Sequence, residues 1–167
     1  MTQTLEQEVK DDNRVVAGWL LYYHERKNDY ERRREIILHS SGASAFDGQP
    51  RGTELGDTTG HKGDKLAELH ERTGEWLELV EDIERRLPPK MRIILERRRE
   101  CIFATRKKYK GRPPWIPYVQ VKYAEDMAMM EDKKLEDVWV NTPDIFTDWW
   151  KQIVMYATVL AGKKNLL

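Results

Sequence analysis

A single cysteine, Cys101, stands in this chain of 167 residues. One thiol excludes an intramolecular disulfide framework and any thiolate cluster for zinc or iron–sulfur. No apolar run approaches the length of about 18 residues that a bilayer span requires. The opening Met1-Thr2-Gln3-Thr4-Leu5-Glu6 has no apolar signal region. A cytoplasmic address without a membrane partner is therefore expected. Net charge is lacking as well, because 29 basic and 29 acidic side chains cancel, so only the distribution of charge can point to a partner. Catalytic patterns are missing: there is no phosphate-cradling glycine pattern, no HExxH helix and no nucleophile elbow. His24, His39, His61 and His70 share no metal-ligand spacing. Asp47, Glu54, Asp57 and Asp64 do not follow the order of a calcium loop. The expectation is a non-enzyme with neither metal nor cofactor.

What the chain does have is aromatic residues and charge. Mean hydropathy is −0.77, polar for a globular protein, yet six Trp and seven Tyr are far too many for a disordered one. Apolar residues recur at helical spacing in two long stretches. Val16, Trp19, Leu20, Tyr23, Tyr30 and Ile37 predict a helix over 14–38, with Asn13 as its cap. Leu66, Leu69, Thr73, Trp76, Leu77, Val80, Ile83 and Leu87 predict a second over 64–87, stopped by Pro88-Pro89. The interval 40–63 holds six glycines, a density that fits neither helix nor long strand. Paired stripes joined by such a loop predict a helical hairpin in which Trp19 and Trp76 are at least partly buried.

Further helices are expected over 90–109, from about 116 to 130, and from 144 to about 161, with a short segment at 134–138 and Gly162 as terminator. The fold class is all-α. The expected division is a hairpin, residues 1–88, for oligomerisation or partner binding, and a basic helix with a helix-turn-helix-like unit, residues 89–167.

Charge is strongly segregated. From Arg85 to Arg112 there are twelve basic residues against two acidic, a balance of +10. From Glu125 to Asp148 eight acids face two lysines, a balance of −6. Within the basic run Arg97, Arg98, Arg99, Arg106, Lys107 and Lys108 are candidate phosphate contacts. The competing readings are a solvated helix face and a face paired with the acidic segment.

Residues 134–161 permit a helix-turn-helix, whose second helix would enter the major groove by its N-terminal residues. Ile145, Trp149, Ile153, Tyr156 and Leu160 form the expected inward stripe. Thr147, Trp150, Lys151 and Gln152 are then candidate DNA contacts. Asp144 and Asp148 oppose phosphate, so the same unit also reads as a protein-docking pair.

The order of features resembles phage regulators of the RinA and ArpU type, which activate late genes. Three parts carry the resemblance. One is Pro50-Arg51-Gly52-Thr53 with Gly56-Asp57-Thr58-Thr59-Gly60 and Lys65-Leu66-Ala67, similar to the loop between that family's N-terminal helices. The second is Tyr118-Val119-Gln120-Val121-Lys122-Tyr123, similar to the helix opening its region like part 4 of a sigma factor. The third is the turn Val138–Asp144 followed by Phe146–Leu160, similar to its final recognition helix. The resemblance implies binding to double-stranded DNA near late genes and recruitment of host RNA polymerase in a bacterial cytoplasm, by a chain that can form a homo-oligomer. A small helical DNA-packaging adaptor, like a small terminase subunit, is the alternative, beside a docking module that reads no bases.

Overall fold

The computed structural model describes residues 4–40, 58–104 and 114–167. All regular structure among them is helical. In chain order the helices are α1 (Leu5–Leu21), α2 (Tyr23–His39), α3 (Thr58–Leu69), a π-helical turn (His70–Gly74), α4 (Glu75–Arg86), α5 (Pro89–Ala104), α6 (Trp115–Glu131), α7 (Leu135–Val138) and α8 (Asp144–Lys163). They form two compact units: one comprises the residues up to Tyr22 and from Leu79 onward, the other Tyr23–Glu78. These units are drawn differently from a division at residue 88.

The stretch expected as one helix over 14–38 starts earlier and is interrupted. α1 begins at Leu5, and Tyr22 leaves helical geometry (φ −102, ψ 22) while its N–H still bonds the Gly18 carbonyl at 3.1 Å. Asn13 is therefore not a cap. It lies mid-helix, where its side-chain oxygen accepts from the Thr158 hydroxyl of α8 at 2.8 Å. The glycine-dense interval is corrected at its end: residues 58–63 are already helical. A Cβ at Gly63 would meet nothing within 4 Å, so no steric demand sets glycine there. Leu66 and Leu69 begin the apolar stripe one turn later, and helix packing outweighs the roughly 1 kcal/mol glycine penalty. Residues 41–57 of that interval lie outside the described residues.

In the smaller unit α2 packs on α3 and the π turn. Lys62 donates to the Leu38 carbonyl at 3.3 Å, and the Tyr30 hydroxyl sits 3.5 Å from His70 Nδ1. The start of α3 thus lies beside the end of α2, and the two run antiparallel. Inside the π turn a Cβ on Gly74 would lie 2.2 Å from His70 Nδ1, so glycine is what allows the imidazole to fold back over the turn.

In the larger unit α1, α5, α6 and α8 surround a common core, with α7 against α6. Val16, Leu20, Val80, Ile83, Ile94, Leu95, Val119, Phe146 and Ile153 are all buried. Trp19 is half-buried there, while Trp76, which belongs to the smaller unit, is buried. The proline pair separates α4 from α5 with one residue, Pro89, taken into the first turn of α5. Two helices end on left-handed residues that let an N–H reach back five positions. Asp132 (φ 50) ends α6 with Lys133 N–H on the Ala128 carbonyl. Asn165 (φ 55) does the same after α8 with Leu166 N–H on Ala161. Gly162 is not the terminator; α8 runs through it to Lys163.

Candidate functional site

Three consecutive arginines on α5 were expected to face phosphate. Successive helical side chains point about 100° apart, so Arg97, Arg98 and Arg99 meet three different neighbours, all inside the larger unit. Arg97 grips Asp126 of α6 through two 2.6 Å hydrogen bonds and also reaches Glu100 at 2.7 Å. Those carboxylates, Asp126 foremost, hold its pKa well above the usual arginine value.

Arg98 lies between two indoles. Its guanidinium carbon is 4.1 Å from the Trp115 ring centroid and 3.8 Å from that of Trp150. Such cation–π contacts contribute about 0.5–2 kcal/mol each, more as water is excluded. Burial lowers its pKa to about 10, opposed by Cys101 one turn along, so it remains a cation at neutral pH. Its buried Nη1 has no hydrogen-bond partner among the described residues.

Arg99 is only 2% exposed. It donates to the Leu20 carbonyl at 2.7 Å and pairs with Glu84 and Glu96. Together the triplet ties α5 to α1, α4, α6 and α8. These three residues are corrected from phosphate contacts to internal ties, because each guanidinium is already held by carboxylate, carbonyl or indole. Arg106, Lys107 and Lys108 lie outside the described residues. Of the other cations in the run, Arg85 and Arg86 both pair with Asp82, while Lys90 and Arg92 are exposed.

The C-terminal unit consists of α7, a five-residue connection (139–143) and α8. The Gln120 amide of α6 donates to the Val140 carbonyl at 2.7 Å, which fastens the connection. Tyr123, Phe146 and Trp149 form a triangle with ring centroids 5.4–5.9 Å apart, mostly edge to face. Trp149 is thus packed inward and half-buried, in the expected direction.

Trp150 was expected to point outward, and this is a correction: it is 8% exposed, stacked on Arg98. Both tryptophans point inward because α8 packs on α1, α5 and α6 at once. Its buried arc of Phe146, Trp150, Ile153, Val154 and Ala157 is turned by about 90° around the helix from the expected stripe. Tyr156, assigned to that stripe, is instead exposed. Lys151 and Gln152 are exposed and Thr147 is half-buried. Lys151 lies 4.0 Å from Asp148, with both side chains about two-thirds exposed.

The surface around this unit is acidic. Glu131, Asp132, Glu136, Asp137, Asp144 and Asp148 are all exposed, with Lys133, Lys134 and Lys151 as the cations among them. Among the described residues no group of three or more His, Cys, Asp or Glu side chains could hold a metal ion. Cys101 is buried and its thiol pKa is raised by that burial, with Arg98 pulling it back. No described helix is long and apolar enough to cross a membrane.

The sequence carried a signal for the burial of Arg99 that charge counting overrides. Leu95, Arg99 and Ile102 are spaced at i, i+4 and i+7, so the arginine falls on the apolar stripe of its own helix. Nothing in the sequence pairs Arg98 with Trp115 and Trp150, which lie 17 and 52 residues away. Set beside known protein families, characterised proteins and solved structures, the chain matches none of them.

Proposed function

We propose that this chain is a DNA-binding regulator of the kind its resemblance to phage late-gene activators implies, working through residues 134–161 beside host RNA polymerase in a bacterial cytoplasm. The observation that supports this reading is the arrangement of α7, its short connection and α8 on the Tyr123–Phe146–Trp149 cluster, with Lys151 and Gln152 left exposed on α8. A short helix, a tight connection and a longer helix with exposed polar side chains, here in its second and third turns, is the format that presents a helix to the major groove. In this reading Gln152 bonds adenine, Lys151 meets guanine or phosphate, and Thr147 assists. Trp150 and the arginine triplet serve the core, and phosphate affinity falls to Arg106, Lys107 and Lys108.

The acidic exposed surface favours a second reading, in which the same unit docks on a basic protein surface. Glu136, Asp137, Asp144 and Asp148 would repel a duplex and attract such a partner. Titration of the protein with duplexes from its own genome and with scrambled duplexes, across a salt series, separates the two. Preferential retention of one genomic duplex near physiological salt, reduced in Gln152→Ala, is the outcome expected of a DNA reader. Equal, weak binding to every duplex transfers the unit to protein docking.

A further inference from the structure

We infer that this chain self-associates by inserting the N-terminal turns of α1 of one copy into the groove between α2 and α3 of another. Two uncovered surfaces lead to this, one in each compact unit.

The first is an unfinished helix face. The apolar stripe of α1 runs through Leu5, Val9, Val16 and Leu20, and its two ends are treated differently. Val16 and Leu20 are fully buried, whereas Leu5 is 79% and Val9 48% exposed. At 100° per residue, Leu5 and Val9 sit almost above one another, with Glu8 and Asp12 flanking them on one side and Glu6, followed by Lys10, on the other. Residues 5–12 hold four acids and one lysine, a balance of −3. This is an amphipathic helix end with an i, i+4 apolar pair and an acidic balance.

The second is a groove of about 330 Å³ in the smaller unit. Ile36, Ile37 and Leu69 supply its apolar lining, and Ile36 is itself mostly exposed. Arg33 stands on the α2 side, Lys65 and Arg72 on the α3 side. Two of these cations already have one carboxylate each: Arg33 pairs with Asp29, and Arg72 with Glu68 on the same rim. Lys65 has no ion-pair partner among the described residues. The groove lining therefore carries three cations against one acid, along both edges of an apolar strip.

The match is one of pattern as well as sign. An apolar pair on a helix end of balance −3 faces an apolar strip edged by Arg33, Lys65 and Arg72, of which Lys65 has no carboxylate of its own, and such a pairing is how an amphipathic helix is read in a groove. The same chain carries both halves, so a second copy is the occupant to which the observations commit. The contact is heterologous, one surface against a different one, so a single contact leaves one groove and one α1 end still open to a further contact. Two helical turns fill less area than a standard stable interface, so the association is weak and concentration-dependent. It is independent of the DNA reading, because no residue of 134–161 takes part.

The test uses sedimentation velocity and light scattering of the full chain over a roughly hundredfold concentration range. Wild type should rise in mean mass with concentration, and the rise should shrink at high salt. Leu5→Asp/Val9→Asp should stay monomeric. So should Glu6→Lys/Glu8→Lys and Lys65→Glu/Arg72→Glu, each alone. Mixing those last two variants in equal amounts should restore association, since each then offers the other an opposite charge. All these positions are exposed, and thermal unfolding confirms that each variant retains the fold. A wild type that is monomeric throughout overturns the inference, as does association untouched by either charge set. Failure of the mixture to regain mass overturns it equally.

Discussion

The Arg98 guanidinium carbon sits 3.8 Å from the ring centroid of Trp150, joining α5 to α8 without a carboxylate. A residue placed by its chemistry among DNA contacts is instead a wall of a buried cation site. Trp150→Ala should therefore cost stability, about 3–5 kcal/mol as for other buried aromatics, read as a lower urea midpoint. The exposed Gln152→Ala should leave that midpoint within about 0.5 kcal/mol. Equal midpoints for wild type and Trp150→Ala would contradict the stacking.

Phosphate affinity should separate cleanly along the basic run. Neutralising Lys107 and Lys108 together should weaken specific and scrambled duplexes by similar factors and reduce the salt slope by roughly two units. Arg99→Met should leave the salt slope unchanged, because its charge is internal, while destabilising the fold by about 2–4 kcal/mol through the lost ties to the Leu20 carbonyl and Glu84. A smaller slope for folded Arg99→Met would return that arginine to the DNA-binding surface.

Alkaline pH should weaken the protein before arginine titrates. Burial raises the folded-state pKa of Cys101 from 9.0, and of Tyr118 and Tyr123 from 10.0, with Glu100 adding to the rise at Tyr118. The unfolded chain therefore loses these protons first. Their stabilisation is complete below the unfolded values and disappears as pH rises through the folded ones. Arg98 has the opposite sign, since burial lowers its folded value from the usual arginine range to about 10, so it offsets the loss only above pH 10. Urea midpoints measured from pH 8 to 10 should fall, and the fall should be shallower in Cys101→Ala. A midpoint that climbs over this window would reverse the sign argument.

Gly74 and His70 form a steric pair. Alanine at position 74 should gain about 0.5–1 kcal/mol in helix propensity, but its Cβ collides with the imidazole. Gly74→Ala should therefore be destabilising in the wild type and stabilising in a His70→Ala background. Calorimetry of the four proteins reads the difference, and additive effects would mean that the ring moves aside freely.

The helices were legible wherever a stripe met a breaker. The stop at Pro88-Pro89 and the helix start at residue 144, just after Pro143, are read correctly to within a residue or two, because ring closure at proline acts locally. The break at Tyr22 left no such mark, and at the π turn His70–Gly74 the single Gly74 is no stronger a signal than any glycine inside a helical stripe. The candidate site was misread for a different reason. Arg97, Arg98 and Arg99 count as three positive charges along the sequence, but their destinations depend on Asp126, Trp115, Trp150 and Glu84. Those partners come from four other segments, and no local rule assembles them. The sign of a charge is a local property and its exposure is not.

The larger unit is built from both ends of the chain, and that has a consequence for its assembly during synthesis. Asn13 and Thr158 meet across 145 residues, so α1 leaves the ribosome long before its partner α8 exists. Val16 and Leu20 must wait uncovered while residues 23–78, which form a compact unit of their own, are already synthesised. Non-local closure of this kind slows folding and exposes apolar surface meanwhile. A nascent chain arrested before α8 should hold a protected α2–α3 pair and an α1 that is still open to protease.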